Sequence, residues 1–531
     1  MNQSALELRV YVPQDSLAIA LGADEIAAQI TQWARQQGLA LQLIRNGSRG
    51  LSWLEPLIEV QARDAHTTHP RVAYGPLSPQ ELPALLATPD WYRGNSAHPL
   101  YCGPIDAHPY LARQQRLTFA RIGLDDPLDL NAYQQQGGLQ GLRKALAKAP
   151  EQVIETIQQS GLRGRGGAAF PTGIKWQTVA QAPGSQKYIV CNADEGDAGG
   201  FSDRLILEAD PYALIEGMII AGWAVGATQG FIYLRSEYPH SEKILQQAIQ
   251  NAYQQNLLGA NILGSDCHFD LHIFKGAGAY ICGEETSLLE SMEGKVGLVR
   301  AKPPLPAHHG YLGQPTVVNN VVTLATAPTI LAQGAQFYAD FGQGRSRGTL
   351  AFQLSGNIKQ GGLIETAFGM SMLELIEEFG QGTQSGRPIK AIQVGGPLGA
   401  YIAPEHWHTP LDYEAFQAIG GLIGHGGIIV FDDQANIPAL AKHAMDFCAF
   451  ESCGKCTPCR IGSVRASEII AQLDPAANNY AQQKQLLLEL CDTMELASLC
   501  ALGGMAPYPV RSLLTLYEDD FHPHAQETPH A

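Results

Sequence analysis

The densest chemistry in this 531-residue chain lies in Glu451-Ser-Cys-Gly-Lys-Cys-Thr-Pro-Cys-Arg460, where Cys453, Cys456 and Cys459 are each separated by two residues. Thiolates at that spacing on a tight turn can take three corners of an iron–sulfur cubane, and a remote fourth closes it. Structural zinc more often uses two separated pairs, so a [4Fe–4S] cluster is the expectation and zinc the alternative. Three cysteines so close together, flanked by Gly454 and Pro458, do not have the spacing of core thiols. Cys500, 47 positions after Cys453, is preferred as the fourth ligand because it sits beside Gly503-Gly504, where backbone can approach a cluster. Cys491 falls in an apolar helix expected over Gln485–Met494, and Cys448 reads as a buried small hydrophobe.

Three Gly-rich loops form the second constellation. Gly161-Leu-Arg-Gly-Arg-Gly-Gly-Ala-Ala-Phe-Pro-Thr-Gly-Ile-Lys-Trp176 holds five glycines and two arginines and ends near Lys175. Bare glycine backbone can approach phosphate while Arg and Lys supply charge, so the loop suits an anionic nucleotide. Its G-x-G-x-x-A string follows a helix, expected over Glu151–Gln159, rather than a strand, so the ordinary dinucleotide fingerprint lacks its context. Cys191-Asn-Ala-Asp-Glu-Gly-Asp197 and Lys275-Gly-Ala-Gly-Ala-Tyr-Ile-Cys-Gly-Glu-Glu-Thr286 each follow an expected strand, where parallel α/β sheets place ligands. Any one of these carboxylate loops could be a solvated turn; three on one sheet edge point to a shared nucleotide pocket.

The elements that must position these loops are read from periodicity. Alternation over residues 6–14, a helical face of Ile26, Ile30, Trp33 and Ala34, strands at Leu39–Ile44, Pro56–Val60 and Arg71–Tyr74 and a helix near Glu81–Ala87 make a thioredoxin-sized unit over residues 1–100. His98–His108 reads as a linker. Strands at Tyr188–Cys191, Gly230–Leu234 and Leu271–Phe274 with helices at His240–Gln255 and Val317–Ala332 predict a parallel α/β domain over 110–345. Strands at Leu350–Leu354, Ala391–Gly396 and Gly427–Phe431 around a helix at Leu373–Phe379 predict a small β-grasp-like domain over 346–434. A helical bundle follows over 435–531, with His522–Ala531 read as a frayed end.

Composition narrows the function. Lys and Arg number 35 against 51 Asp and Glu, a net charge of −16, which is the wrong sign for phosphate-neutralising nucleic-acid binding. The most apolar stretch, Gly217–Ala227, is far shorter than the ~20 residues of a spanning helix, so no membrane role is expected. The N-terminus lacks the basic and apolar regions of a secretory signal, and a cytoplasmic, reducing location is expected.

Taken together, GLRGRGGAAFPTGIKW, CNADEGDAGGFSDR, GAGAYICGEETSLLESMEG, KPPLPAHHGYLGQPTVVNNVVTL and ESCGKCTPCR resemble the NADH-oxidising flavoprotein subunit of respiratory complex I and its relatives in NAD-linked formate dehydrogenases and hydrogenases, over about residues 110–515. The resemblance implies a multidomain α/β protein. It would have a thioredoxin-like N-terminal domain, a Rossmann-like FMN-binding domain, a β-grasp domain and a helical domain with one [4Fe–4S] cluster. It implies FMN and NAD as further cofactors, with Gly164, Arg165, Gly166, Gly167 and Lys175 lining the pocket and Phe170 packing on the dinucleotide. Asn192, Asp194 and Glu195 match the second loop, Gly283, Glu284 and Glu285 the third, and Asn319 and Asn320 a helix-initiating phosphate contact. Cys453, Cys456, Cys459 and Cys500 match the cluster ligands. Leu305 stands where many relatives have a stacking Phe, and Ser48 and Ser52 where a ferredoxin-like module has cysteines, so the N-terminal module is expected to be a docking scaffold rather than a [2Fe–2S] carrier. That extension, followed by Pro109–Arg121, most resembles the β subunit of soluble molybdenum-containing NAD-dependent formate dehydrogenase. The expected partners are a molybdenum-containing catalytic subunit and a small [2Fe–2S] thioredoxin-like subunit. A hydrogenase diaphorase subunit, a complex I-type subunit and a zinc-stabilised nucleotide-binding scaffold are the alternatives. The expected reaction is electron passage between NAD(H), FMN and the cluster, with no catalytic acid, base or nucleophile required.

Overall fold

A computed structural model describes residues 6–63 and 67–521. Three main sheets and a helical C-terminal region succeed one another along the chain. In the first sheet the strands run in the order Ala40–Ile44, Glu7–Tyr11, Ile58–Arg63, Val72–Tyr74, Tyr101–Pro104, the first pair parallel and the rest antiparallel. Helix Ala23–Gln37 buries Ile26, Ile30 and Ala34 against it. The segment expected to be a linker therefore supplies an edge strand, because Tyr101–Pro104 pairs with Val72–Tyr74.

The second sheet is parallel throughout, in the order Asp270–Lys275, Gln229–Leu234, Tyr188–Ala193, Thr316–Asn320. Its fourth strand corrects the expected helix at Val317–Ala332. Val317 and Val318 are β-branched and pair with Ile189 and Val190, and the helix starts only at Val321, where Asn320 accepts a hydrogen bond from Thr323 N at 3.2 Å. Apolar runs of this length read equally as buried strand or buried helix. The apolar stretch at 217–227 belongs to the core helix Pro211–Val225, which crosses Val321–Gln333 so closely that a Cβ on Gly217 would lie 2.0 Å from Leu324 O. Among the described residues no helix is long and apolar enough to cross a membrane.

The third sheet runs Gly362–Ala367, Thr349–Gly356, Gly427–Asp432, Ile389–Val394, with a parallel pair at its centre. Strand Gly362–Ala367 has no counterpart in the sequence reading, since Gly361-Gly362 at its start reads as a turn. Helices Ile437–Glu451, Thr457–Ile470, Tyr480–Ala497 and Pro507–Leu516 then pack on one another. The expected tail at His522–Ala531 lies outside the described residues.

The N-terminal unit is fastened to the rest by its own loops. Gly47 abuts Ala209, Leu363 N donates to Gly50 O at 2.9 Å, and Ser16 donates from N and Oγ to Glu208 at 2.8 and 2.7 Å. Buried Glu59 holds the Arg49 guanidinium at 2.8 and 3.0 Å and pairs with Arg71, which in turn donates to Gly123 O and Leu124 O at 2.9 and 3.0 Å. Removing one partner of a buried ion group leaves uncompensated charge. Glu59→Gln should therefore lower the stability of the full chain by about 3–5 kcal/mol, read as an earlier first transition in urea unfolding; an unshifted transition would show that the two guanidiniums do not depend on this carboxylate.

Candidate functional site

The C-terminal edge of the parallel sheet gathers the loops. Strand Tyr188–Ala193 runs into the second loop, and Asn192 Nδ2 donates to Gly283 O at 2.8 Å, tying it to the third. The first loop lies over the same edge: a Cβ on Gly166 would come within 2.9 Å of Asn320 Cβ, and Lys175 Nζ donates to Val318 O at 2.9 Å. Gly167 has φ +108°, a conformation that costs little without a Cβ, and with Gly164 and Gly166 leaves backbone bare along this rim. Glu284 caps helix Glu285–Met292 by accepting from Thr286 N and Ser287 N at 2.8 and 2.9 Å. Lys302 pairs with Glu284 at 2.7 Å and Glu285 at 3.6 Å, and Lys175 reaches Glu285 at 3.5 Å. Burial alone would raise the Glu284 carboxyl, but Lys302 and the helix N–H groups hold it below its ordinary value. Phe170 and Leu305 are exposed apolar side chains, 50% and 48% accessible, as a ring or ligand face would require before being covered.

Three expected site residues face elsewhere. Arg165 is buried, donating to Tyr338 Oη at 2.8 Å and Arg347 O at 2.7 Å over the ring of Phe368, so its guanidinium is spent inside the protein rather than offered to an anion. Both oxygens of Glu195 are occupied: Asp203 N, Arg204 N and Tyr238 Oη donate to them at 3.0 Å, which caps helix Ser202–Ala209. Asn319 Oδ1 accepts from Trp176 Nε1 at 2.9 Å in the core. All three side chains turn toward partners within the chain itself, as buried polar groups must.

Asp194, like Arg165 at Nε, leaves a buried polar atom unpaired. Its Oδ2 is buried with no hydrogen-bond partner, and burial pushes the carboxyl up to about 7, with Glu237 and Glu451 adding repulsion that Arg235 partly offsets. An orphan acceptor beside bare glycine backbone fits a polar ligand carrying hydroxyl or N–H donors, such as a flavin nucleotide.

The cysteines converge on the start of helix Thr457–Ile470. Cys459 is buried, Cys453, Cys456 and Cys500 are partly buried around it, and a Cβ on Gly503 would lie 2.7 Å from Cys459 Cβ. Cys448 and Cys491 are fully buried in the helical core. Burial pushes Cys500 up to about 11, so metal capture at neutral pH releases its proton.

Sequence reading missed what joins the two constellations. Tyr280, in the third loop, hydrogen-bonds Asp197 Oδ1 at 3.1 Å, donates from N to Glu451 at 3.0 Å, and sets its ring edge-on against Phe447 at 4.8 Å. Glu451 ends the helix that leads into Cys453. It also missed His425, which lies in a Gly-rich turn 222 residues from Asp203, its partner at 3.3 Å; no local pattern signals such a pairing.

A family described as the Nuo51 FMN-binding domain matches residues 157–329, and one described as the NADH-ubiquinone oxidoreductase-F iron-sulfur binding region matches residues 439–524. The chain is 42% identical over 415 residues to the HndC subunit of the NADP-reducing hydrogenase of Solidesulfovibrio fructosivorans, covering 78% of this chain and 84% of that one. It is 41% identical over 399 residues to the F 2 subunit of the NADH-quinone oxidoreductase of Rhizobium meliloti (strain 1021), covering 75% and 94%. Among solved structures it is similar to a chain of the NAD+-reducing [NiFe]-hydrogenase in the H2-reduced state, with a TM-score of 0.67 at 28% identity, over 98% of this chain and 84% of that one.

Two outcomes test the site. Asp194→Asn should weaken FMN binding yet raise the melting temperature of the FMN-free chain at pH 8. A carboxyl whose folded value is raised costs stability above that value and regains it as the pH falls, so the gain should shrink between pH 8 and 5.5. A gain independent of pH would contradict this. Cys500→Ala should abolish or convert the [4Fe–4S] electron paramagnetic resonance signal while FMN stays bound, whereas Cys491→Ala should keep the signal and cost about 1–3 kcal/mol.

Proposed function

We propose, from the premise that this chain belongs to the family of NADH-oxidising FMN flavoprotein subunits of NADH-quinone oxidoreductase and NAD(P)-reducing hydrogenase, that it is the NAD+-reducing β subunit of a soluble molybdenum-containing formate dehydrogenase. FMN, a [4Fe–4S] cluster and NAD are its cofactors. The observation that carries the electron-transfer reading is the contact relay through Tyr280, which joins the second loop to the helix entering the cysteine cluster. The branch assignment is supported by an N-terminal module without cluster cysteines, Ser48 and Ser52 occupying the positions where thiolates would stand. Division into domains at 1–100, 110–345, 346–434 and 435–531, and a cytoplasmic site of action beside a molybdenum-containing and a small [2Fe–2S] subunit, belong to this reading. The diaphorase subunit of an NAD-reducing hydrogenase is the second reading, favoured by the structural likeness that extends over 98% of the chain.

When bound, FMN supplies the conversion between the two-electron hydride couple of NAD(H) and the one-electron steps that a cluster accepts. The chain's residues have a holding task. Gly164, Gly166 and Gly167 offer bare backbone, Lys175 and Lys302 offer charge next to Glu284 and Glu285, and Asp194 offers an acceptor. Cys453, Cys456, Cys459 and Cys500 would hold the cluster, and the Tyr280–Phe447 contact keeps the cluster-bearing helices seated on the loops. No proton need be moved by a strong acid or base, so positioning is the whole of the contribution.

The native complex should co-purify with molybdenum and reduce NAD+ with formate. Nickel in place of molybdenum, with hydrogen-driven NAD+ reduction, would transfer the assignment to the hydrogenase reading.

A further inference from the structure

His425 stands where the second and third sheets meet. Its Nε2 lies 3.3 Å from Asp203 Oδ1 and 3.2 Å from Ser202 Oγ, and its Nδ1 lies 3.8 Å from Glu195 Oε1. Asp197, on the same loop as Glu195, adds a third nearby carboxylate. The backbone is fixed as firmly: Gln353 Nε2 donates to His425 O at 3.0 Å while its Oε1 accepts from Phe201 N and Ser202 N at 2.8 and 3.2 Å.

Each carboxylate that His425 faces also supports a nucleotide loop. Asp203 accepts from Asn320 Nδ2 at 2.8 Å through both oxygens, orienting the amide whose own oxygen starts helix Val321–Gln333 and whose Cβ backs Gly166. Glu195 fixes the start of helix Ser202–Ala209. Asp197 accepts the Tyr280 hydroxyl of the third loop. The first loop touches the histidine's own turn, where a Cβ on Gly167 would lie 3.7 Å from Gly424 C and 3.9 Å from His425 N. The acid cluster resembles a cation site, but its oxygens already face N–H and O–H donors, and a metal ion would have to displace them.

We propose that His425 is a positioning residue for the flavin site, the built-in cation that lets Glu195, Asp203 and Asp197 remain together as carboxylates and so holds the three nucleotide loops in one arrangement. This rests on the flavin reading of those loops. Burial alone would lower the imidazole, but Asp203, Glu195 and Asp197 override it and hold His425 protonated up to about 10. Burial raises both Glu195 and Asp197. Behind these acids stand Tyr238, Arg235 and Tyr280. None of the three supplies the missing cation at His425's position.

The test uses the full chain, FMN titrated by fluorescence quenching from pH 6.5 to 8.5, and three proteins: wild type, His425→Gln and Asp203→Asn/His425→Gln. The glutamine keeps a hydrogen bond and loses the charge, so one carboxyl must hold a proton that is lost as the pH rises. The ratio of variant to wild-type Kd should then rise about tenfold across that range for His425→Gln and stay within about twofold for the double variant, which restores the charge balance. A flat ratio for His425→Gln, or a double variant worse than the single one at every pH, would overturn the proposal and reduce His425 to packing. If the wild type itself takes up no FMN, the flavin reading falls separately. The melting temperature then decides the clamp: relative to the double variant, which needs no extra proton, it should drop with rising pH in His425→Gln, and parallel profiles of these two would refute it.

Discussion

The structure depends on buried carboxylates that collect N–H and O–H donors from segments far away in the chain. Glu365, on the third sheet, accepts from Leu117 N, Thr118 N and Phe119 N at 2.9–3.0 Å and from Thr349 Oγ1 at 2.6 Å. Glu216 does the same for Leu139 N and Leu142 N, both at 2.8 Å, and Glu208 for Ser16 and Ser241. Each is desolvated, and an acceptor in that position is costly unless several donors converge on it. The cost is what makes the joints specific, because a shifted segment would leave both the carboxylate and the peptide N–H groups unpaired. Part of the surplus of acids over bases is thus internal scaffolding, while the net charge of −16 is still enough to disfavour nucleic acid.

Where chemistry imposes local spacing, the sequence was legible. The three cysteines of one turn, the glycine loops after strands and the parallel strands at Tyr188, Gln229 and Asp270 all follow from patterns a few residues long. What escaped was long-range. Strands Thr316–Asn320, Tyr101–Pro104 and Gly362–Ala367 are short segments whose state is decided by a partner already in place, so local propensity could not choose. Charge in a glycine loop, as at Arg165 and Glu195, suggests a group facing an anion or a ribose. Their side chains turn inward to Tyr338 and to helix Ser202–Ala209, and spacing carries no record of which way a side chain turns. His425 was invisible for the same reason.

The arrangement also couples the glycine loops to the cysteine cluster. Flavin loops at the C-terminal edge of a parallel sheet need only backbone and a few charges, but delivery of single electrons requires a second centre held at fixed distance. Tyr280 meets that need by belonging to the third loop while touching the helix that ends at Glu451, so the loop and the cluster turn cannot drift apart independently. The third sheet closes the other side through His425 and Gln353. The second sheet, the third sheet and the cysteine-bearing helices thus meet along the same edge.

The N-terminal unit is bound into the same packing by the loop around Gly47. Ser48 and Arg49 in this loop are 4% and 6% accessible, and a Cβ on Gly47 would lie 2.1 Å from Ala209 Cβ. A Cβ on Gly50 would lie 3.0 Å from Leu363 Cβ, and Arg116 donates to Arg49 O at 2.6 Å. A cluster of four irons or two needs thiolates free to converge and room for inorganic sulfide; this loop instead has protein backbone and side chains in contact on several sides. Cysteines placed at Ser48 and Ser52 would face packed protein rather than an open cradle. The loop is thereby a structural joint, fastened to Ala209, Leu363 and Arg116 by packing and hydrogen bonds.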